Sequence, residues 1–150
     1  MDATLEALAD RAAIQDLLIG YFLALDRKDW AAVSACFTPD ADCDYGVFRG
    51  DTAFAVDCIR RGVAQFDHTM HCGSNVHAVV EGDAARAECY AVCYHRLPVD
   101  GVPHDRVSAL HYRDTLARTP DGWRIRARHV TFVWETFVKT SLPPPPGRPR

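Results

Sequence analysis

A handful of side chains in this 150-residue sequence could hold or move a proton, and their neighbours suggest which ones do. Asp26 directly follows Leu25, the last apolar position of a helical pattern. A carboxylate there can hold a nearby imidazole in one tautomer and stabilise its cation. His71 lies among small residues, in Met70-His71-Cys72-Gly73-Ser74-Asn75. Histidine titrates near pH 7, so His71 can take and return a proton within one cycle. In an unbulged strand, alternation places Gly73, Asn75 and His77 on the face of His71, which makes Asn75 a substrate-binding candidate. A later strand carries Leu110-His111-Tyr112-Arg113-Asp114. A one-residue slip exchanges the faces of a strand, so either His111 or Tyr112 points inward. Tyr21 and Tyr45 supply hydroxyls that need a partner when buried, and a substrate carbonyl can be that partner. His129 and Thr131 share one face of the last strand. Together these groups suit general acid–base chemistry. His71 would move the proton, Asp26 would orient a histidine, and the tyrosines would donate where enolate charge develops.

Other chemistries lack their residues. There is no HxH or HExxH pattern, so no metal site is expected. Nucleophile-elbow and glycine-rich phosphate-loop patterns are missing too, and no cofactor is expected. The six cysteines form no CxxC motif. Cys89 and Cys93 share one face of a strand, ~13 Å apart at ~3.3 Å per residue, and cannot bridge each other. All six read as small buried apolar residues. His68, His95 and His104 fall at strand or loop ends and are expected to be exposed.

These groups need elements to position them. Leu5, Leu8, Ile14, Leu17, Leu18, Tyr21, Phe22 and Leu25 recur at three- and four-residue spacing and predict a helix over Leu5–Leu25. Asp29 is a plausible N-cap for a short second helix that ends at Thr38-Pro39-Asp40. Ala41–Phe48 reads as a strand, and Asp51 or Thr52 caps a third helix through Phe66. Four long strands follow: His68–Glu81, Ala84–Val99, Arg106–Arg118 and Trp123–Phe137. Gly82-Asp83 and Pro120-Asp121-Gly122 mark turns, and Pro98–Pro103 marks a loop. Short turns between long strands predict an antiparallel meander. Helices followed by strands give an α+β fold, with helices on one face of a strongly curved, mainly antiparallel sheet. A cone of this kind encloses a pocket.

The chain has 17 Lys+Arg, 20 Asp+Glu and a net charge of -3, so it lacks the basic excess that nucleic acid requires. With 48% hydrophobic and 25% charged residues it is an ordinary globular chain, long enough for one domain. No apolar run approaches a membrane span, and the acidic N-terminus is not a signal peptide, which predicts a cytoplasmic location. The domain should occupy residues 1–140. The proline-rich 141–150 should be a disordered tail.

Several segments together resemble the SnoaL-like branch of the nuclear-transport-factor-2-like superfamily. They are Tyr21–Trp30, Cys36–Ala41, Tyr45–Gly50, the stretch around His71, and Tyr112–Asp114 leading to Asp121–Ile125. That branch includes polyketide cyclases, scytalone dehydratases and small subunits of ring-hydroxylating dioxygenases. The resemblance implies a cone-shaped α+β barrel, a homodimer or homotrimer, and an apolar or aromatic small-molecule substrate bound without a cofactor. It is similar to scytalone dehydratase at Asp26, followed by Lys28-Asp29-Trp30, at His71, and at Tyr45 as a residue that hydrogen-bonds substrate or water. It implies a second catalytic histidine near His111. Two departures stand out: Leu25 where that family has a tyrosine, and Thr131 near a position that holds an amide. The function implied is a cofactor-independent lyase or isomerase of dehydratase or cyclase type. The alternative is a non-catalytic binding protein or an oxygenase small subunit.

Overall fold

The apolar spacing of the first segment folds as helix α1 (Ala3–Arg27) in a computed structural model that describes residues 3–140. The tail 141–150 lies outside the described residues. α1 buries Ile14, Leu18, Tyr21, Phe22 and Leu25. Burial of such side chains is worth about 1.5–3 kcal/mol each. The helix stops on Lys28, whose φ of 56° is left-handed. Lys28 N donates to Leu25 O and Asp29 N to Ala24 O, both at 3.0 Å, which satisfies the last carbonyls. This tight stop leaves Asp26 in the final turn, beside the sheet.

Asp29 caps α2 (Trp30–Ala35) by accepting from Ala32 N at 3.0 Å. Strand β1 runs Phe37–Asp44, four residues earlier than the sequence suggested. Pro39 forces extended backbone before it, and Phe37 pairs with Ile125, which draws this segment into the sheet. The strand ends where Asp44 Oδ1 accepts from Gly46 N at 2.9 Å, with Gly46 at φ 76°. Tyr45 therefore sits in a turn rather than in a strand. β2 (Arg49–Gly50) closes this hairpin. Asp51 then caps α3 (Thr52–Val63) by accepting from Phe54 N at 2.9 Å.

The four long strands are β3 (His68–Glu81), β4 (Ala84–Val99), β5 (Val102–Thr119) and β6 (Gly122–Lys139). The expected loop at Pro98–Pro103 is only a two-residue turn. Pro98 pairs with Pro103, and Asp100 and Gly101 take φ 51° and 76°. Positive φ at both central residues matches the right-handed twist of the flanking strands.

The sheet order is β2-β1-β6-β5-β4-β3. It is antiparallel except for β1 against β6, so the meander is one part of a mixed sheet that curls without closing. α1 packs against the inner face. Ala85, Ala87, Cys89, Ala91 and Cys93 of β4 alternate into the core, as do Tyr112, Asp114 and Leu116 of β5. The chain is an α+β fold with helices on one face of a curled six-stranded sheet. No helix of the described residues is long and apolar enough to cross a membrane.

Candidate active site

α1 and β3 bring Asp26 and His71 together. His71 Nδ1 lies 2.7 Å from Asp26 Oδ1. The backbone N–H of His71 donates to Asp26 Oδ2 at 2.9 Å, and Thr69 Oγ1 donates to Oδ1 at 2.9 Å. Burial pushes the Asp26 carboxyl up, but the hydrogen bonds from the His71 ring and backbone and from Thr69 outweigh it. Asp26 therefore lies below the usual carboxylate range and is anionic at neutral pH. An anionic carboxylate only accepts, so Nδ1 carries the proton and Nε2 keeps a lone pair. Nε2 makes no hydrogen bond within the described residues. The imidazole is 6% exposed and the carboxylate 23%.

His95 completes the cluster. Sequence reading placed it at an exposed strand end, whereas it points inward and its ring lies 5.2 Å from that of His71. Phe66 stacks on its other side at 4.4 Å. Its Nδ1 is buried without a hydrogen-bond partner among the described residues. Burial, then the charges of His71 and Arg106, push its pKa down to about 4 against the opposing pull of Asp26 and Glu135, so His95 is neutral at pH 7. Its parity was visible in the sequence: Cys89, Ala91, Cys93 and His95 fall at alternating positions on one face.

Tyr21 and Tyr45 do not join this cluster. Their hydroxyls hydrogen-bond each other at 2.8 Å inside the core. The Phe22 ring stacks toward His71 at 6.4 Å and meets Tyr21 and Tyr112 edge-on at 5.4 and 5.3 Å, which puts it between the histidine and the tyrosines. Gly73 makes room for that ring, because a Cβ there would stand 2.4 Å from Phe22 Cε2. Behind it, Arg128 and Asp114 form a bidentate pair at 2.8 and 2.8 Å, with side chains 0% and 1% exposed. The Arg128 guanidinium lies 4.2 Å from the Tyr21 ring centroid and 4.9 Å from that of Tyr112. Burial raises the Tyr21, Tyr45 and Tyr112 phenols above the ordinary tyrosine value, and the Arg128 charge opposes the rise at each. Sequence reading missed this pair. Its only trace was an arginine and an aspartate at inward parity.

The remaining candidates part by face. Tyr112 points inward and is buried. His111 therefore points outward, where Nε2 lies 3.2 Å from Glu88 Oε2 and its ring stacks on Tyr90 at 4.7 Å. Thr131 pairs directly with His111 in register and is exposed on the same outer face. The register of β3 shifts between Ser74 and His77, and Asn75 takes φ 55° there. That bulge exposes Asn75 and turns His77 outward opposite Glu88, so neither shares the surroundings of His71. His129 is also outward, 3.3 Å from Asp44. His68 is exposed, whereas His104 is half-buried and stacks on Phe137 at 4.9 Å. A groove of about 810 Å³ lies on this outer side, lined by His77, Glu88, Arg113 and His129, and takes in none of the Asp26–His71–His95 cluster.

Four of the six cysteines are buried, Cys58 is partly so, and Cys72 is exposed. Burial pushes Cys93 up to about 12 and Cys43 and Cys89 up to about 11, so these remain thiols. No group of three His, Cys, Asp or Glu among the described residues could hold a metal ion.

Comparison with known proteins agrees with this architecture. An uncharacterised protein of Mycobacterium tuberculosis is 32% identical over 138 residues, covering 87% of this chain and 90% of its own. A LinA-type3 hexachlorocyclohexane dehydrochlorinase from Novosphingobium barchaimii superposes with TM-score 0.82 at 22% identity, over 95% of this chain and 100% of that one. A protein assigned as a scytalone dehydratase from Novosphingobium aromaticivorans gives TM-score 0.81 at 21% identity, over 98% and 99%. At such identities these two structures share the fold. The SnoaL-like domain profile matches residues 6–129, and the chain belongs to the SnoaL-like family.

Proposed function

We propose that this protein is an acid–base lyase or isomerase acting on an apolar cyclic small molecule, with the Asp26–His71 dyad moving the proton. The observation that carries this reading is the 2.7 Å contact between His71 Nδ1 and an Asp26 fixed by two further hydrogen bonds. Three donors on one carboxylate fix its orientation, which fixes the imidazole in turn. A surface ion pair would need no such scaffolding.

In an elimination, His71 Nε2 takes the proton from a carbon next to the leaving group. The C–H electron pair becomes the new C=C bond, and the leaving group departs with its own bonding pair. The imidazolium that forms is stabilised by the Asp26 carboxylate. A departing hydroxide recovers the proton and leaves as water, whereas a halide leaves as the anion and the proton passes to solvent. His95 is neutral, so it polarises a carbonyl or leaving group through a hydrogen bond rather than by donating a full charge. Low dielectric around Phe22 and Phe66 strengthens each of these interactions. Catalysis at His71 and Asp26 retains two residues of the sequence reading. The roles given there to Tyr45 and His111 pass to His95, because the tyrosine hydroxyls satisfy each other and His111 faces away.

The dehydrochlorinase and scytalone dehydratase neighbours both carry out eliminations by name and supply the first substrates to try. The test follows chloride release from hexachlorocyclohexane, dehydration of scytalone, and turnover of a panel of cyclic β-hydroxy and β-halo ketones. General-base removal costs about 10²–10⁴-fold. His71→Ala should lose at least that much, and Asp26→Asn should fall similarly while thermal unfolding changes little. Equal turnover in wild type and His71→Ala on an accepted substrate would sink the reading. Ligand binding without turnover across the panel would favour a binding protein instead.

A further inference from the structure

We propose that the outer face of the sheet docks a second copy of this chain, face to face, about a two-fold axis that runs along the strands between β4 and β5.

The surface follows from register and alternation. Met70, Tyr94, Val107 and Thr136 form one outward row across β3, β4, β5 and β6. Cys72, Val92, Ala109 and Trp134 form the next, and Ser74, Tyr90, His111 and Thr131 the one after. Met70, Tyr90, Tyr94 and Trp134 are between 42% and 51% exposed. Large side chains grouped in adjacent rows make a contiguous patch, and such patches mark interaction sites. Charges border the patch at both ends. Glu88 stands opposite Arg113 at one end, and Arg96 opposite Asp105 at the other. An apolar centre with a polar rim is the anatomy of a protein interface. Five rows two residues apart and four strands wide cover roughly 600 Å² in plan. Side-chain relief makes the accessible area larger, on the scale of the ~800 Å² per partner of stable complexes.

The order of charges selects a second copy as the occupant. β4 carries Glu88 and Arg96, and β5 carries Arg113 and Asp105, so a two-fold between these strands sets each charge against its opposite. Asp105 already gives both oxygens to Arg96, at 2.7 and 2.8 Å. Glu88 uses only Oε2, toward His111, and Arg113 has no partner among the described residues. The open pairing is therefore Arg113 of each copy with Glu88 Oε1 of the other. Both side chains line the groove of about 810 Å³ on this face, which gives them room to extend across.

Side-chain size selects the same axis. It maps β3 onto β6, so Trp134 lies over Cys72 of the second copy and Met70 over its Thr136. Tyr94 likewise meets Val107. Large side chains thus face smaller ones, as close packing of an interface core requires. A two-fold across the strands at the Trp134 row would stack Trp134 on its own copy and turn Arg113 toward the occupied Asp105.

Sedimentation velocity of the full-length protein, with a thiol reductant present, tests the surface. Wild type at micromolar concentration should sediment at twice the chain mass. Trp134→Glu should weaken the dimer at least 30-fold, the scale of a central aromatic anchor. Glu88→Arg and Arg113→Glu each set like charges against each other and should weaken it at least 10-fold. The combined Glu88→Arg/Arg113→Glu variant should recover most of that loss, which a folding defect would not do. A monomeric wild type, a trimer, or a dimer indifferent to Trp134→Glu would overturn the proposal. A combined variant no tighter than the single ones would overturn the axis and the proposal with it.

Discussion

Two polar clusters share the inner face of this sheet, and they are built on opposite principles. Arg128 and Asp114 are sealed, bidentate and sandwiched by aromatic rings. Asp26, His71 and His95 lie in a partly open region, and two of their ring nitrogens have no partner within the described residues. A buried pair whose two charges answer each other holds a fold in one arrangement, and its one unpartnered nitrogen among the described residues, Arg128 Nη1, is sealed from solvent. A cluster that keeps an unassigned lone pair next to a fixed carboxylate can bind and move a proton. Phe22 is the partition between them.

The sealed cluster should therefore control stability and the open one activity. Asp114→Asn leaves the Arg128 guanidinium buried without a counter-charge, a loss of about 3–5 kcal/mol. Chemical denaturation should read it as a large drop in the midpoint. A drop under 1 kcal/mol would mean that water reaches Arg128 and that the two clusters are not so different. Gly73→Ala tests the partition. The added Cβ collides with the Phe22 ring, and such overpacking costs typically about 1–3 kcal/mol. An unchanged midpoint would show that the ring moves freely.

Acid should act on the open cluster first. The His95 pKa is about 4 in the fold against 6.5 for a free histidine. Between those values the unfolded chain binds more protons, so stability is full above pH 6.5 and declines as pH falls toward 4. The decline should be on the order of 1–2 kcal/mol once screening of a half-buried ring is allowed for. Calorimetry from pH 7 to pH 4 should show it, and His95→Gln should flatten it. An unchanged slope in that variant would assign the acid sensitivity elsewhere. The smallest effect belongs to Tyr45→Phe, which removes one hydroxyl from the Tyr21 pair. It should cost about 0.5–1.5 kcal/mol of stability and leave turnover near wild type. A hundredfold loss of turnover would return Tyr45 to the active site.

The sequence by itself determined most of the elements and named Asp26 and His71 as separate candidates; their pairing across α1 and β3 belongs to the tertiary structure. Helical spacing in α1, the Asp29 cap, the long strands and their turn residues are local signals, and each is written in adjacent residues. Asp26 and His71 stood out by residue type and by the resemblance to scytalone dehydratase, at a helix end and in a small-residue strand. What lay beyond reach depended on register. One inserted residue at Asn75 reversed the face of His77, and the parity of Tyr112 sent His111 and Thr131 outward. The placement of His95 beside His71, the mutual bond of Tyr21 and Tyr45, and the burial of Arg128 on Asp114 join residues from different elements. Side-chain direction in a strand alternates with every residue, so a single bulge or slip exchanges the pocket side for the solvent side. Only the assembled sheet fixes that choice.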